Sequence, residues 1–232
     1  EVKTIAGDGL NRYTKEPKLK NGAVLYEDGT RETLNNKIVR PVSHPFSKTG
    51  GLAQLKGNLG RGVIKISAVA EDRHVIEAPV RVFHTQEAVK TAFQNNEITE
   101  DTIVVVRFQG PKSNGMPELH GLTPVLSVLQ ERGLRVALVT DGRMSGASGK
   151  VPAAIHVSPE AADGGPIGKL HDGDIVRLNA TSGVLEAVDV DLETRETAIA
   201  DLTGNGNGVG RELFEVFRRT VGSADTGASV TL

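Results

Sequence analysis

Two nearly unbroken apolar runs, TIVVVRF at 102–108 and LRVALVT at 134–140, stand out from the polar sequence around them. Runs of this length without alternation read as strands buried on both faces. Between them, LTPVLSVLQERG (122–133) repeats its apolar positions at helical spacing. Thr123 suits its cap, Pro124 its first turn and Gly133 its exit. Strand, helix and strand in that order predict a βαβ-like unit. Upstream, GVIKISAVA (62–70) alternates and is rich in β-branched residues, and APVRVFH (78–84) reads the same way. TQEAVKTAFQN (85–95) puts apolar residues at 88, 89, 92 and 93, a helical stripe with Thr85 as its N-cap. Downstream, DIVRLNA (174–180) and GVLEAVDV (183–190) predict a hairpin around Thr181-Ser182-Gly183. GRELFEVFRRTV (210–221) predicts an amphipathic helix, and GASVTL a closing strand.

These elements give a mixed α/β, β-rich class. Residues 1–40 are polar, with weak strand signals only at Ala23 to Tyr26, and read as a linker or extended arm. RPVSHPFSKTGG (40–51) is a loop punctuated by two prolines and a glycine pair. Residues 41–232 are therefore expected to carry the main domain.

Composition narrows the function classes. The 232 residues are 38% apolar and 24% charged, with net charge −2, so no basic field points to nucleic acid or to a membrane surface. No apolar run reaches the length of a membrane span. There is no cysteine. That excludes a disulfide framework, makes a cytoplasmic location the expectation, and leaves no thiolate in this chain for an iron–sulfur or zinc site. The first residue is Glu1, inside polar sequence, so a fragment of a longer protein, or a processed one, is expected.

The chemistry-bearing stretch is VTDGRMSGASGK, 139–150, directly after an apolar run. Loops in that position are common sites of chemistry in α/β folds. A phosphate-cradling P-loop would need glycine at 144 and Ser or Thr at 151, where Met144 and Val151 stand. A nucleophile elbow would need its second glycine one place later than Gly149. Read alone, Ser145 and Ser148 are hydroxyls that satisfy turn backbone, Asp141 is a turn former and His156 a core histidine.

ALVTDGRMSGAS (137–148) resembles the C-terminal signature of the dihydroxy-acid dehydratase and 6-phosphogluconate dehydratase family. HVSPEAADGGPIGKLHDGDIV (156–176), GGLAQLKGNLGRGVIKIS (50–67), GPKSNGMPEL (110–119) and the TGASVTL end extend the resemblance in order through most of the chain. GASGKVPAAIHVSPEA and HPFSKTGGL are more similar to the 6-phosphogluconate branch. The resemblance implies a β-barrel-like swivelling domain flanked by helices, similar to that of aconitase-type enzymes. It implies a hydro-lyase of the Entner–Doudoroff route that takes 6-phosphogluconate to 2-keto-3-deoxy-6-phosphogluconate and water. Ser145 matches the family's alkoxide base at C2, and Glu118 a Mg²⁺ ligand. Arg143, Ser148 and Lys150 become substrate-binding candidates, with Lys150 a phosphate or carboxylate contact; an exposed surface lysine is the alternative for it. An iron–sulfur cluster, expected as 4Fe-4S, takes its ligands from an N-terminal domain of the same enzyme, so this chain alone is expected to be inactive. A homodimer is also implied. The alternatives are a dihydroxy-acid or other aldonic-acid dehydratase, or a non-catalytic swivelling module that shields substrate.

Overall fold

The computed structural model describes residues 2–5, 7–145, 150–208 and 210–231. Contacts divide the chain into two units, Glu1–Thr49 and Gly50–Leu232. The first holds four short strands: β1 (Lys3–Thr4), β2 (Gly7–Asp8), β3 (Lys15–Lys20) and β4 (Ala23–Asp28). β3 and β4 form an antiparallel hairpin. Its two turn residues, Asn21 (φ 51°) and Gly22 (φ 80°), both adopt the left-handed conformation that suits a two-residue hairpin loop. Lys15–Asp28 and Lys20–Glu27 ion pairs link the strands. The strand signal at Ala23 to Tyr26 lies in β4, so the polar arm contains a hairpin.

The second unit is built on a closed eight-stranded barrel. Its strands are β5 (Leu52–Gly57), β6 (Gly60–Lys65), β7 (Val75–Phe83), β8 (Thr102–Val106), β9 (Val136–Thr140), β10 (Ala153–Ser158), β11 (Ile175–Asn179) and β12 (Val184–Ala187). Around the barrel the order is β10-β6-β5-β12-β11-β7-β8-β9. β7, β8, β9 and β10 run parallel, while β5–β6, β6–β10, β7–β11 and β11–β12 are antiparallel. Helix α1 (Gln86–Gln94) connects β7 to β8. The short α2 (Pro111–Asn114) and then α3 (Leu122–Glu131) connect β8 to β9.

The uninterrupted apolar runs have a direct cause. In β8, Ile103 and Val105 join a cluster with Leu55, Ile64, Val80, Val176 and Leu185, which fills the barrel. Val104 and Val106 point the other way, to Val89, Leu122, Leu126 and Leu129 on the helices. β9 divides likewise, with Ala137 and Val139 inward and Val136 and Leu138 outward. Both faces are dry, so neither alternates. Ala78, Ala137, Ala154 and Ala187 line the interior, where eight strands leave room for little more than side chains. Each fully buried leucine of α3 contributes about 1.5–3 kcal/mol by the apolar area it removes from water.

Several sequence expectations change. Thr85 caps α1 as expected, its hydroxyl accepting from the Ala88 N–H at 3.1 Å. Thr123 does not cap α3. Gly121 holds that position, and the Thr123 Oγ1 is buried without a hydrogen-bond partner among the described residues. The 210–221 stretch is not one helix: a 3₁₀ turn (Arg211–Phe214) precedes a short α4 (Glu215–Thr220). No strand forms over the described residues of the closing GASVTL; they follow a 3₁₀ turn at Ala224–Thr226. β5 and β10 carried no clear signal. β10 is broken by His156 at φ 56° and by a register shift between Ile155 and Ser158, which erases period-two alternation. Among the described residues no helix is long and apolar enough to cross a membrane.

Candidate functional site at the ends of β8 and β9

β8 and β9 are adjacent and parallel, so the loops after them leave the barrel side by side. Asp141 ties these loops together. It is fully buried, directly after β9, and its carboxylate accepts three backbone N–H groups: Gln109 at 2.8 Å, Ala161 at 3.0 Å and Phe108 at 3.1 Å. Burial pushes its pKa up to about 6, helped by the nearby Glu160 carboxylate and opposed by the three N–H donors. At Gly142 a Cβ would lie 2.7 Å from the Cβ of Gln109, so only glycine permits this approach. Glu160, also buried, accepts from the N–H groups of Lys112 (2.9 Å) and Ser113 (3.1 Å) and from the Ser113 hydroxyl (3.0 Å), which fixes the start of α2.

These braces bring Glu118, Arg143 and Ser145 together. Glu118 and Arg143 form an isolated parallel β-bridge. One Glu118 oxygen accepts from Arg143 Nη1 at 2.8 Å, and the other from the Ser145 backbone N–H at 2.8 Å. Arg143 Nε also donates to the Met116 carbonyl at 2.7 Å. The Arg143 and Glu118 side chains are 47% and 37% exposed, so the cluster faces out of the barrel end. Three non-glycine residues in the left-handed region lie around it: Phe108 (φ 63°), Met116 (φ 53°) and His156 (φ 56°). Such conformations persist only where the surroundings impose them, and they gather at functional sites.

The other candidates lie elsewhere. Ser148 falls outside the described residues. Lys150 is not brought to this group. Ala153 pairs with Leu138 in parallel register, which puts Lys150 level with the start of β9. Ser145 follows the opposite end, about 16 Å away for five strand residues. There Lys150 shares a cavity wall with Arg73 and Gln130, and its carbonyl accepts from Gln130 Nε2 at 3.2 Å. His156 is half-buried beside the loop, its N–H bonded to the Gly142 carbonyl at 2.9 Å. Burial, then the Arg143 charge, lowers its pKa.

Sequence reasoning missed Arg107. It is 7% exposed and donates to the carbonyls of Gly168 (2.9 Å) and Leu170 (3.0 Å), with Nε 3.2 Å from His84 Nε2. Burial, then the Arg107 charge, lowers the His84 pKa. A charge at the end of an apolar run was the available signal.

The family model for the dihydroxy-acid/6-phosphogluconate dehydratase C-terminal region matches residues 37–228. The chain belongs to this family. A phosphogluconate dehydratase of Pseudomonas aeruginosa is 54% identical over 98% of the chain, and one of Escherichia coli is 50% identical over 99%. A dihydroxy-acid dehydratase of Halothermothrix orenii is 42% identical over 84%. The chain spans about 38% of the length of the two phosphogluconate dehydratases.

The metal groups implied by the family resemblance can be tested against these side chains. A chain without cysteine has no thiolate to hold an iron–sulfur cluster, so that group does not fit the residues present. Among the described residues no group of three His, Cys, Asp or Glu is placed to hold a metal ion. Mg²⁺ takes one or two carboxylates and completes its shell with water and substrate oxygens. Glu118, partly exposed beside Ser145, fits as one such donor.

Proposed function

We propose that this chain, with residues 41–232 as its dehydratase domain, is the C-terminal part of a hydro-lyase converting 6-phosphogluconate to 2-keto-3-deoxy-6-phosphogluconate and water in the Entner–Doudoroff route. The carrying observation is the Glu118–Arg143–Ser145 cluster, in a chain more similar to phosphogluconate dehydratases (50–54%) than to the dihydroxy-acid enzyme (42%).

The proton at C2 is weakly acidic because the neighbouring carboxylate resists a second negative charge. Removing it needs a base at C2 and cations over the carboxylate. In this reading the Ser145 oxygen, as alkoxide, accepts the C2 proton. The C2–H electron pair passes first into the carboxylate as an enediolate and then forms the C2–C3 double bond as the C3 hydroxyl, after gaining a proton, departs as water; the resulting enol becomes the 2-keto acid. Arg143 supplies positive charge over the carboxylate, and Glu118 holds the guanidinium and the Ser145 backbone in register. Glu118 would also bind Mg²⁺, whose charge would stabilise the alkoxide and the enediolate. The iron–sulfur ligands belong to the N-terminal domain in this reading, and the homodimer belongs to the same proposal. Lys150, a strand's length away, is left out of it.

Ser145→Ala in the full-length protein tests the reading. Turnover of 6-phosphogluconate should fall by about 10²–10⁴-fold, the usual worth of a positioned base, with substrate affinity retained. Turnover close to wild type would instead support a module that only shields substrate.

A further inference from the structure

The 211–221 segment leaves its apolar side uncovered. Leu213 is 79% exposed, Val216 65%, Phe214 54% and Phe217 47%. The chain has only six phenylalanines, and two stand side by side here with ring centroids 5.9 Å apart. Phe214, Phe217, Val221 and Val230 face Pro111 and Met116 across a groove of about 250 Å³. Exposed apolar surface of this kind marks a place covered by further protein, a ligand or a membrane.

We propose that this groove receives the part of the polypeptide that the longer family members have and this chain does not span. The inference rests on the dehydratase reading and names the surface through which the site is completed. Three observations select the occupant. The relatives are longer, with this chain covering about 38% of their length. Met116 forms one wall of the groove, and its carbonyl is the acceptor for Arg143 Nε. Whatever fills the groove therefore lies beside the Glu118–Arg143–Ser145 cluster. That cluster has a single carboxylate and no thiolate, and a second copy of these 232 residues brings no thiolate either. The rim adds charge. Arg218 lines the groove, its Nη1 donating to the Arg211 carbonyl at 3.4 Å. The pKa of the nearby Glu212 carboxylate is lowered chiefly by the Gly208 N–H and in part by the Arg218 charge. The matching surface presents apolar side chains to Phe214, Phe217, Val221 and Val230.

The test places photoreactive benzoylphenylalanine at position 217, and separately at 214, in the full-length protein. Light- and heavy-isotope copies are mixed before irradiation, and cross-linked peptides are read by mass spectrometry. The expected product joins position 217 or 214 to residues preceding this 232-residue region within one copy. Position 199, where Ile199 is 94% exposed, serves as the control and should give at least tenfold less product. Mixed-isotope cross-links between copies, cross-links confined to these 232 residues, or a yield no higher than at 199 would overturn the proposal. The readout needs no substrate. Cross-links from the 217 or 214 variant beside a wild-type protein inactive on 6-phosphogluconate would sink the dehydratase reading alone, and an active wild type with no cross-links from either variant would sink only the interface.

Discussion

The carboxylate of Glu118 receives the backbone N–H of Ser145 at 2.8 Å, although 27 residues separate them along the chain. The second oxygen is engaged with Arg143, so one side chain sets both the position of the serine and the direction of the nearest cation. Hydrogen bonds to a charged group contribute about 1.5–3 kcal/mol. Under the proposed dehydratase reading, Glu118→Ala in the full-length protein should lower kcat/KM for 6-phosphogluconate by about 10- to 100-fold. Glu118→Gln, which keeps one acceptor, should lose less. Equal losses in steady-state assays would mean that the charge alone matters.

Asp141 should make stability depend on pH in an unusual direction. Its ordinary pKa is 3.8 and burial raises it to about 6. Below about pH 4 the carboxyl is protonated whether the chain is folded or not, so its contribution is greatest there. Between about pH 4 and 6 the unfolded chain releases the proton while the folded chain keeps it, and stability falls. At about 1.4 kcal/mol per tenfold change in proton affinity, the loss reaches about 3 kcal/mol above pH 6. Urea unfolding of wild type and Asp141→Asn from pH 4 to 7 isolates this group. The wild-type advantage should shrink by that amount as pH rises. A difference independent of pH would show that the carboxylate stays ionised throughout.

Removing the Thr85 hydroxyl tests a local signal that the sequence carried. Its bond to the Ala88 N–H satisfies one of the unpaired donors at the start of α1. Thr85→Ala should destabilise the chain by about 1 kcal/mol, seen as a lower urea midpoint with an unchanged slope. Thr123→Ala should show no comparable loss, because Thr123 caps nothing.

Leu126 is fully buried between α3 and the outer face of the barrel. Leu126→Ala should cost about 2–5 kcal/mol, the transfer of the lost methyl groups plus the cavity left behind. Denaturant unfolding would measure it. A loss under 1 kcal/mol would mean that the helix repacks freely against β8 and β9.

Much of this protein is local, and local features are readable in sequence. The doubly buried runs of β8 and β9 needed no partner to be recognised, because burial on both faces leaves only Thr102 and Thr140 as polar positions within the strands. The α1 cap and the β11–β12 hairpin depend on residues within a few positions of one another. The chemistry of the 139–150 loop stood out because serines, glycines and cations have little to bury there. Tertiary structure alone decided what depends on register between distant segments. Barrel closure follows from β12 meeting β5 and β10 meeting β6, two contacts that no short window contains. The parallel register of β10 on β9 puts Lys150 level with the start of β9, and the parallel pairing of β8 with β9 brings the loop carrying Glu118 to Ser145. Burial turned Asp141 from an ordinary turn residue into the brace between three segments, because a carboxylate removed from water must take its hydrogen bonds from whichever backbone the fold brings near.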